Sequence, residues 1–353
     1  MMLTFFICLI VIPLFFIRKR KEGETVFDYT STMCLKGVLC LFVMFHNLGL
    51  DYFRQGSMRL IAEHAGGVGV GLFFFLSAFG ICRAYQKKGD KFLLKLIFIN
   101  CTKLWLIAVG INLLTHLVYF RYAYDTKDAV LRILNLDLFN HFHRMNRHGW
   151  YIATIILLYL IFALVYFLCN KLKTERKLII AGTIMSLITI GLKLTTIITD
   201  TGGMYTREIT GFAVGIMYAT FYTNINACLK RFFWISLPIS AIALVIGFIF
   251  YEPLSLWGSC LLLMTVAQRY TWNNIVTYFL GKMCIGIYLF LHFSTLTLEP
   301  YITNEVLWLV LNASFILFLA ILLYGLELLI AKAIGLLRIA ASKKKEKQLH
   351  YDA

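Results

Sequence analysis

Residues 35–47 read Leu-Lys-Gly-Val-Leu-Cys-Leu-Phe-Val-Met-Phe-His-Asn. This stretch is apolar except for Lys36 near its start and His46 and Asn47 at its end, a pattern typical of a membrane-embedded helix. A charged side chain at the middle of a bilayer costs about 2.5 to 3.5 kcal/mol, so ionisable residues in such helices are usually functional. His46 is therefore the first candidate for a functional residue.

The apolar character extends over the whole chain. Of its 353 residues, 60% are hydrophobic and 15% are charged, which excludes a soluble domain with one buried core. About eleven stretches are long enough to cross about 30 Å of hydrocarbon as helices. They cover approximately residues 2–17, 33–50, 66–84, 92–120, 149–170, 178–199, 208–222, 232–250, 253–267, 283–300 and 305–335. We therefore predict an all-α fold, a polytopic transmembrane helix bundle.

The net charge of +16 is concentrated in alternate loops. Basic clusters follow the first, third, fifth, seventh and ninth predicted spans and recur in the C-terminal tail, whereas the intervening loops are poorer in Lys and Arg. By the positive-inside rule, this pattern predicts an outside N-terminus and a cytoplasmic C-terminus in a multi-pass protein of the inner or plasma membrane. The lipid bilayer, and not nucleic acid, is the expected partner of these charges.

The eight histidines provide the best candidates for chemistry. All except His350 lie toward the predicted outer side, and most suit polar loops and interfaces. His46 and His292 differ because they lie within strongly apolar helices. A neutral imidazole can accept a proton near pH 7, which suits a general base. No acidic or cysteine ligand lies at a recognisable spacing from a histidine, and none of the nine cysteines forms a Cys-x-x-Cys pair, so no metal site is predicted.

Four stretches together resemble a known family. Lys36–His46 is an opening helix with a basic residue followed by a histidine, and Gly69–Ile81 contains Phe-Phe-Phe-Leu-Ser-Ala-Phe-Gly. Gly149–Ile152 reads Gly-Trp-Tyr-Ile, and Ile287–His292 reads Ile-Tyr-Leu-Phe-Leu-His. In order and spacing they resemble the acyltransferase 3 family of integral-membrane O-acyltransferases, which modify cell-envelope carbohydrates and related hydroxyl acceptors.

The resemblance implies a division of the chain into three parts. Residues 1–30 would be an extra N-terminal transmembrane span with a basic cytoplasmic linker. Residues 31–336 would be the membrane acyltransferase domain, and residues 337–353 a basic cytoplasmic tail. The family core has ten spans with both ends inside, so one extra span agrees with the outside N-terminus.

The resemblance also implies a reaction, which is O-acyl transfer across the membrane. The donor would be cytoplasmic acyl-CoA, with acetyl-CoA as the expected co-substrate and no bound cofactor. The acceptor would be a hydroxyl of a cell-surface carbohydrate or a lipid-linked glycan at the outer face, which His46 would deprotonate. A glycoconjugate exporter or flippase without acyl-transfer chemistry is the alternative. It explains the spans and the outer histidines but leaves His46 without a task.

Three basic residues are candidates for donor binding: Lys36, Lys103 and Arg83. Lys36 lies roughly 15 Å along the helix from His46, so it either contacts an anionic donor group or extends to the inner interface. Lys103 stands where the family commonly has Arg-x-x-Arg, and its depth in the fourth span favours donor contact. Arg83 could supply the cationic contact that this departure from the family pattern removes.

Two adjacent pairs are candidates for the acceptor side. Trp150 and Tyr151 begin a predicted span, where they either stack on a sugar ring or anchor the helix at the interface. Arg207 and Glu208 begin another span. They either form a structural ion pair or bind the acceptor and orient His46.

Three further residues are candidates for supporting roles: Asn47, Ser77 and His292. Asn47 follows the candidate base directly. Ser77 either relays the acyl group through an acyl-enzyme or makes a hydrogen bond within the helix bundle. For His292, the location and the resemblance both favour a role in the site, although no partner can be identified from the sequence.

Overall fold

The structure is a computed structural model, and it describes residues 17–52, 57–120, 123–136, 146, 148–199, 208–250, 252–302 and 304–351. The helices are α1 (Tyr29–Tyr52), α2 (Ser57–Lys88), α3 (Asp90–Phe120), α4 (Thr126–Ile133), α5 (Gly149–Asn170), α6 (Lys177–Thr199), α7 (Thr210–Thr220), α8 (Tyr222–Arg231), α9 (Phe233–Phe250), α10 (Glu252–Arg269), α11 (Ile275–Leu298) and α12 (Glu305–Tyr351). Two short strands, β1 (Ile17–Lys19) and β2 (Tyr270–Trp272), form an antiparallel pair.

The predicted all-α, polytopic bundle is confirmed, but the count of eleven spans is not. Seven of the described helices are long and apolar enough to cross a membrane, or up to eight if the bent pair of α8 and α9 is one span. Those two helices meet at 98°. Helix α7 has 11 residues, about 16 Å of helix, which is too short to cross the hydrocarbon. Most of the predicted first span, residues 2–16, lies outside the described residues.

Glycines allow the helices at the centre of the bundle to approach closely. Helices α1 and α11 cross where a Cβ on Gly37 would overlap the backbone of Thr277. Helix α7 packs against α2 in the same way, because a Cβ on Gly211 would overlap the carbonyl of Gly71. Small residues at such crossings are typical of membrane helices, where packing replaces the hydrophobic effect. The tightly packed helices α1, α2, α7 and α11 carry most of the candidate residues.

Helix α3 is less regular than its neighbours. It contains two π-helical segments, Leu96–Cys101 and His116–Phe120. Such segments interrupt the normal hydrogen-bond ladder and are frequent at functional sites. Helix α4 is fixed to α3 by side-chain hydrogen bonds to the carbonyls that end it: Trp105 Nε1 donates to Leu134 over 2.8 Å and Asn112 Nδ2 to Arg132 over 3.1 Å.

The segment before α1 is anchored to the bundle where α1 begins. Phe27, with a φ of 57°, inserts its ring among Phe75, Phe79 and Tyr218. Upstream of it, Arg18 and Glu24 form a 2.7 Å ion pair, and this hydrogen-bonded cation holds the pKa of the Glu24 carboxyl below its usual value. The linker predicted from sequence is therefore a packed part of the fold. At the other end of the chain, α12 continues through the predicted tail as far as Tyr351.

Candidate active site

A cavity of about 170 Å³ surrounds the end of α1 that carries His46. We call it the histidine cavity, and it is lined by Val43, His46, Asn47, Gly66, Gly67, Val70, His148, Trp150, Glu208 and Tyr288. The lining comes from α1, α2, α5, α11 and the segments that precede α5 and α7. The fold thus brings together His46, Asn47, Trp150 and Glu208, four of the residues that the sequence singled out.

The hydrogen bond of His46 determines which ring nitrogen can accept a proton. Nδ1 lies 2.8 Å from the backbone carbonyl oxygen of Ala62 on α2. A carbonyl can only accept, so Nδ1 must carry the hydrogen and donate it. In the neutral imidazole the other nitrogen, Nε2, is then the acceptor. This tautomer makes Nε2 the proton acceptor, as a general base at this position requires.

Gly66 holds the imidazole in place from the other side. A Cβ on Gly66 would overlap the ring of His46, so the absence of a side chain creates the space that the ring occupies. Gly66 lies one helical turn after Ala62, whose carbonyl accepts from Nδ1. Two positions on one face of α2 therefore fix both the tautomer and the position of His46.

The other polar groups of the histidine cavity are held by their own helices. Asn47 Nδ2 donates to the carbonyl of Val43 over 2.8 Å, which directs the amide along α1. Glu208 precedes α7 and has a relative exposure of 6%, so its carboxylate lies in an enclosed environment. A carboxylate in such a cavity can stabilise an imidazolium that forms during proton transfer. Arg207 lies outside the described residues.

A second cavity, of about 100 Å³, surrounds Lys36. We call it the lysine cavity, and it is lined by Lys36, Val70, Phe73, Ser77, Leu104, Tyr151, Ile152, Ile155, Tyr159, Cys284, Ile285 and Tyr288. Lys36 is the cation of this set, and apart from Ser77 the other described lining residues are apolar or aromatic. One cation in such surroundings favours an anionic group, because the apolar walls supply little competing solvation.

Ser77 lies within a group of hydroxyls. The side chains of Tyr151 and Tyr159 both lie within hydrogen-bonding reach of it. All three residues line the lysine cavity. Trp150 and Tyr151 therefore face different cavities, although they are neighbours in the chain, because successive residues on a helix point about 100° apart. Trp150 lines the histidine cavity and Tyr151 the lysine cavity. The acceptor-side role of both residues and the acyl-relay role of Ser77 stay predictions.

The structure places the other two donor candidates outside the described lining of the lysine cavity. Lys103 Nζ forms a 2.6 Å ion pair with Glu327 of α12. Arg83 lies over the ring of Tyr222 at 4.4 Å and donates to Gln86 over 2.8 Å. Lys36 is thus the donor candidate that the described structure brings to a cavity.

His292 occupies α11 but is not among the described residues that line either cavity. His148 is the opposite case, since no role was predicted for it and it lines the histidine cavity with its ring 5.1 Å from that of Tyr288. His148 could have been identified from the sequence by its position directly before Gly149–Ile152, one of the four stretches that resemble the family. Gly66 was also missed, because its importance comes from the ring that it contacts and not from its own pattern.

The two cavities together can support a transfer reaction. One contains a histidine whose neutral ring has Nε2 as its acceptor nitrogen, together with a carboxylate, and the other contains a lysine in a mostly apolar wall. Val70 and Tyr288 line both, so the cavities are adjacent. A group held near Lys36 could reach a nucleophile activated by His46 without leaving the protein.

Comparison with known protein families gives a match. A family model described as an acyltransferase domain matches residues 30–331 and thus nearly the whole chain. No curated protein and no solved structure matches the chain. The match includes α1, α2, α5 and α11, which contribute most of the lining of both cavities. The chain therefore belongs to the acyltransferase 3 family of integral-membrane acyltransferases.

Proposed function

We propose that the protein transfers an acyl group, with acetyl as the expected group, from cytoplasmic acyl-CoA to a hydroxyl of a cell-surface carbohydrate or lipid-linked glycan. Membership of an acyltransferase family favours this reaction over export of a glycoconjugate without chemistry. In this proposal the donor occupies the lysine cavity and the acceptor hydroxyl enters the histidine cavity. The membrane is the inner or plasma membrane, with the histidine cavity toward the outside.

The reaction begins with the acceptor hydroxyl at Nε2 of His46. Nε2 takes the hydroxyl proton while the oxygen forms a bond to the thioester carbonyl carbon. The bond between that carbon and sulfur then breaks, and the coenzyme A thiolate leaves and is protonated by the imidazolium or by solvent. Glu208 stabilises the imidazolium between these steps. Lys36 binds an anionic group of the donor and holds the thioester beside the histidine cavity.

The observation that carries the proposal is the 2.8 Å contact between His46 Nδ1 and the Ala62 carbonyl inside a cavity. A histidine that merely satisfies its hydrogen bonds could use either nitrogen. Here one nitrogen is committed to a backbone carbonyl, and the ring borders a space large enough for part of a substrate. This is the arrangement in which a second group orients a base.

Radiolabel transfer tests the proposal. Purified full-length protein is incubated with acetyl-labelled acetyl-CoA and isolated cell envelopes, and label is measured in the carbohydrate fraction. We expect His46→Ala to lower the transfer rate by about a hundred- to ten thousandfold, the typical contribution of a general base.

His64→Ala is the matched control. His64 lies on α2 and lines a separate apolar groove, where its ring is 5.0 Å from that of Phe248. We expect this variant to keep wild-type transfer. Transfer that survives His46→Ala, or that His64→Ala removes equally, contradicts the role of His46. If the wild-type protein transfers no label, the proposed reaction is wrong.

A further inference from the structure

Val70 and Tyr288 are the two residues common to the described linings of the histidine and lysine cavities. We call this pair the constriction. Val70 has a relative exposure of 7% and Tyr288 of 8%, so little space remains around either side chain. A group that moves along the shared wall from one cavity to the other passes these two residues.

The ring of Tyr288 packs against an aromatic side chain on each side of the boundary. Tyr151, in the lysine cavity, lies 5.5 Å away in an edge-to-face arrangement. His148, in the histidine cavity, lies 5.1 Å away. Such aromatic pairs favour particular geometries, which holds the Tyr288 ring across the boundary.

The backbone on both sides of the constriction is fixed by close helix packing. Beside Val70, a Cβ on Gly69 would come within 3.1 Å of a methyl of Val43. Beside Tyr288, a Cβ on Gly286 would come within 3.3 Å of the Ala320 backbone on α12. Because packed helices resist displacement, the passage can widen mainly by rotation of the Tyr288 side chain.

The proposed reaction requires the donor and the acceptor to meet at this boundary. Lys36 lies roughly 15 Å along α1 from His46, whereas the reacting oxygen and carbonyl carbon must approach to about 3 to 3.5 Å. The acyl end of the donor must therefore reach the boundary between the cavities. Water in the histidine cavity, activated by His46, would hydrolyse the thioester whenever the acceptor is absent, and enclosed sites prevent such side reactions.

We propose that Tyr288, packed beside Val70, is a specificity-determining barrier that admits the acyl group to the acceptor and withholds the thioester from water. This inference rests on the proposed function and adds the discrimination between a hydroxyl acceptor and water. In the reaction that the barrier prevents, a water oxygen bonds to the thioester carbonyl carbon. The bond from that carbon to sulfur breaks, and a carboxylic acid and the free coenzyme A thiol leave.

Acceptor-independent thiol release tests the barrier. Purified full-length protein is given acetyl-CoA alone, and free coenzyme A is followed with a thiol-reactive dye. We expect Tyr288→Ala to raise the rate of release by at least about tenfold over wild type, because water then reaches the thioester. Tyr288→Phe keeps the ring across the boundary and should release thiol more slowly than Tyr288→Ala.

Phe290→Ala is the control for a loss of aromatic packing in the same helix. Phe290 has a relative exposure of 6% and lies outside the described linings of both cavities, so its truncation should not raise thiol release. If Tyr288→Ala does not yield a folded protein by size-exclusion chromatography, Val70→Ala replaces it with the same expected increase.

The outcomes separate the barrier from the reaction itself. Unchanged thiol release in folded Tyr288→Ala or Val70→Ala, or an equal rise in Phe290→Ala, overturns the barrier while label transfer to cell envelopes by the wild-type protein still supports the reaction. An absence of label transfer by the wild-type protein overturns both. Increased release that is confined to the two constriction variants supports the barrier.

Discussion

The histidine and lysine cavities share Val70 and Tyr288, yet their remaining walls differ in chemistry. The histidine cavity contains groups that can exchange or stabilise a proton, namely His46, His148 and Glu208. The lysine cavity contains a cation among mostly aromatic and aliphatic side chains. In the proposed reaction this difference corresponds to a division of labour, in which one end of α1 performs proton transfer and the other holds an anionic donor.

The largest expected effect comes from a variant that displaces the His46 ring and leaves His46 itself in the chain. Gly66→Ala places a methyl group where the His46 ring lies, so the ring must shift. A displacement of about 1 Å at a reacting group can lower a rate about a hundredfold, and we expect a fall in kcat of roughly that size with little change in the KM for acetyl-CoA. Steady-state label transfer measures both parameters.

Gly80→Ala is the matched control for Gly66→Ala. It lies in the same helix, but a Cβ there has open space around it. It should leave kcat unchanged. If both variants lose activity equally, the effect belongs to α2 as a whole and not to the position of His46.

The next effect concerns the ion pair beside the lysine cavity. The pair joins Lys103 to Glu327, and Lys103 directly precedes Leu104, which lines that cavity. Glu327→Ala leaves Lys103 without its carboxylate at membrane depth, and we expect a loss of about 2 kcal/mol in stability. Thermal unfolding in detergent measures it.

The double variant Lys103→Ala with Glu327→Ala should recover part of that stability, because neither charge is then uncompensated. Equal stability of the wild-type protein and Glu327→Ala would contradict a structural role for the pair. In that case Lys103 returns as a candidate for direct donor contact.

A smaller effect is expected from the carboxylate of the histidine cavity. Glu208→Gln keeps the shape of the side chain but removes the charge that stabilises the imidazolium. We expect kcat to fall about tenfold, or about 1.4 kcal/mol, with the KM for acetyl-CoA unchanged. Glu63→Gln is the control, since Glu63 pairs with Arg59 on α2 at 3.0 Å and lines neither described cavity. A fall in kcat for Glu63→Gln but not for Glu208→Gln would contradict the proposed role of Glu208.

The smallest effect is expected outside both cavities. Because Arg18 holds the pKa of Glu24 below its ordinary value of 4.5, this pair stabilises the fold fully above that value. The contribution is lost as the pH falls through the lowered pKa of the folded state. Thermal unfolding of Glu24→Gln should therefore show a slightly weaker decline in stability with acid, with transfer kinetics unchanged. An altered KM for acetyl-CoA in Glu24→Gln would contradict this expectation, because it would mean that the segment before α1 contacts the donor.

The helices could be predicted from the sequence because each apolar stretch carries its own signal. The number of spans could not, since hydropathy does not distinguish a helix that crosses the membrane from a short one packed inside the bundle, as α7 is. The bend of 98° between α8 and α9 is likewise a tertiary feature. Local pattern determines that a helix forms, whereas packing determines where it ends and how it lies.

The candidate site divides in the same way. His46 and Lys36 could be identified because each is an ionisable residue in an apolar helix. Gly66 could not, since its role depends on a ring contact between α1 and α2. The pairing of Lys103 with Glu327 joins distant parts of the chain and was equally inaccessible. Residues that are unusual in their own surroundings can be found in the sequence, and residues defined by their partners require the structure.

The division of labour between the two ends of α1 is tested most directly by the dissociation constant of acetyl-CoA. It is measured for the wild-type protein, His46→Ala and Lys36→Ala, each purified at full length. We expect His46→Ala to bind acetyl-CoA like the wild-type protein although it cannot transfer the acyl group, and we expect Lys36→Ala to bind it about tenfold or more weakly. Weak binding by His46→Ala together with wild-type binding by Lys36→Ala would contradict this division of labour.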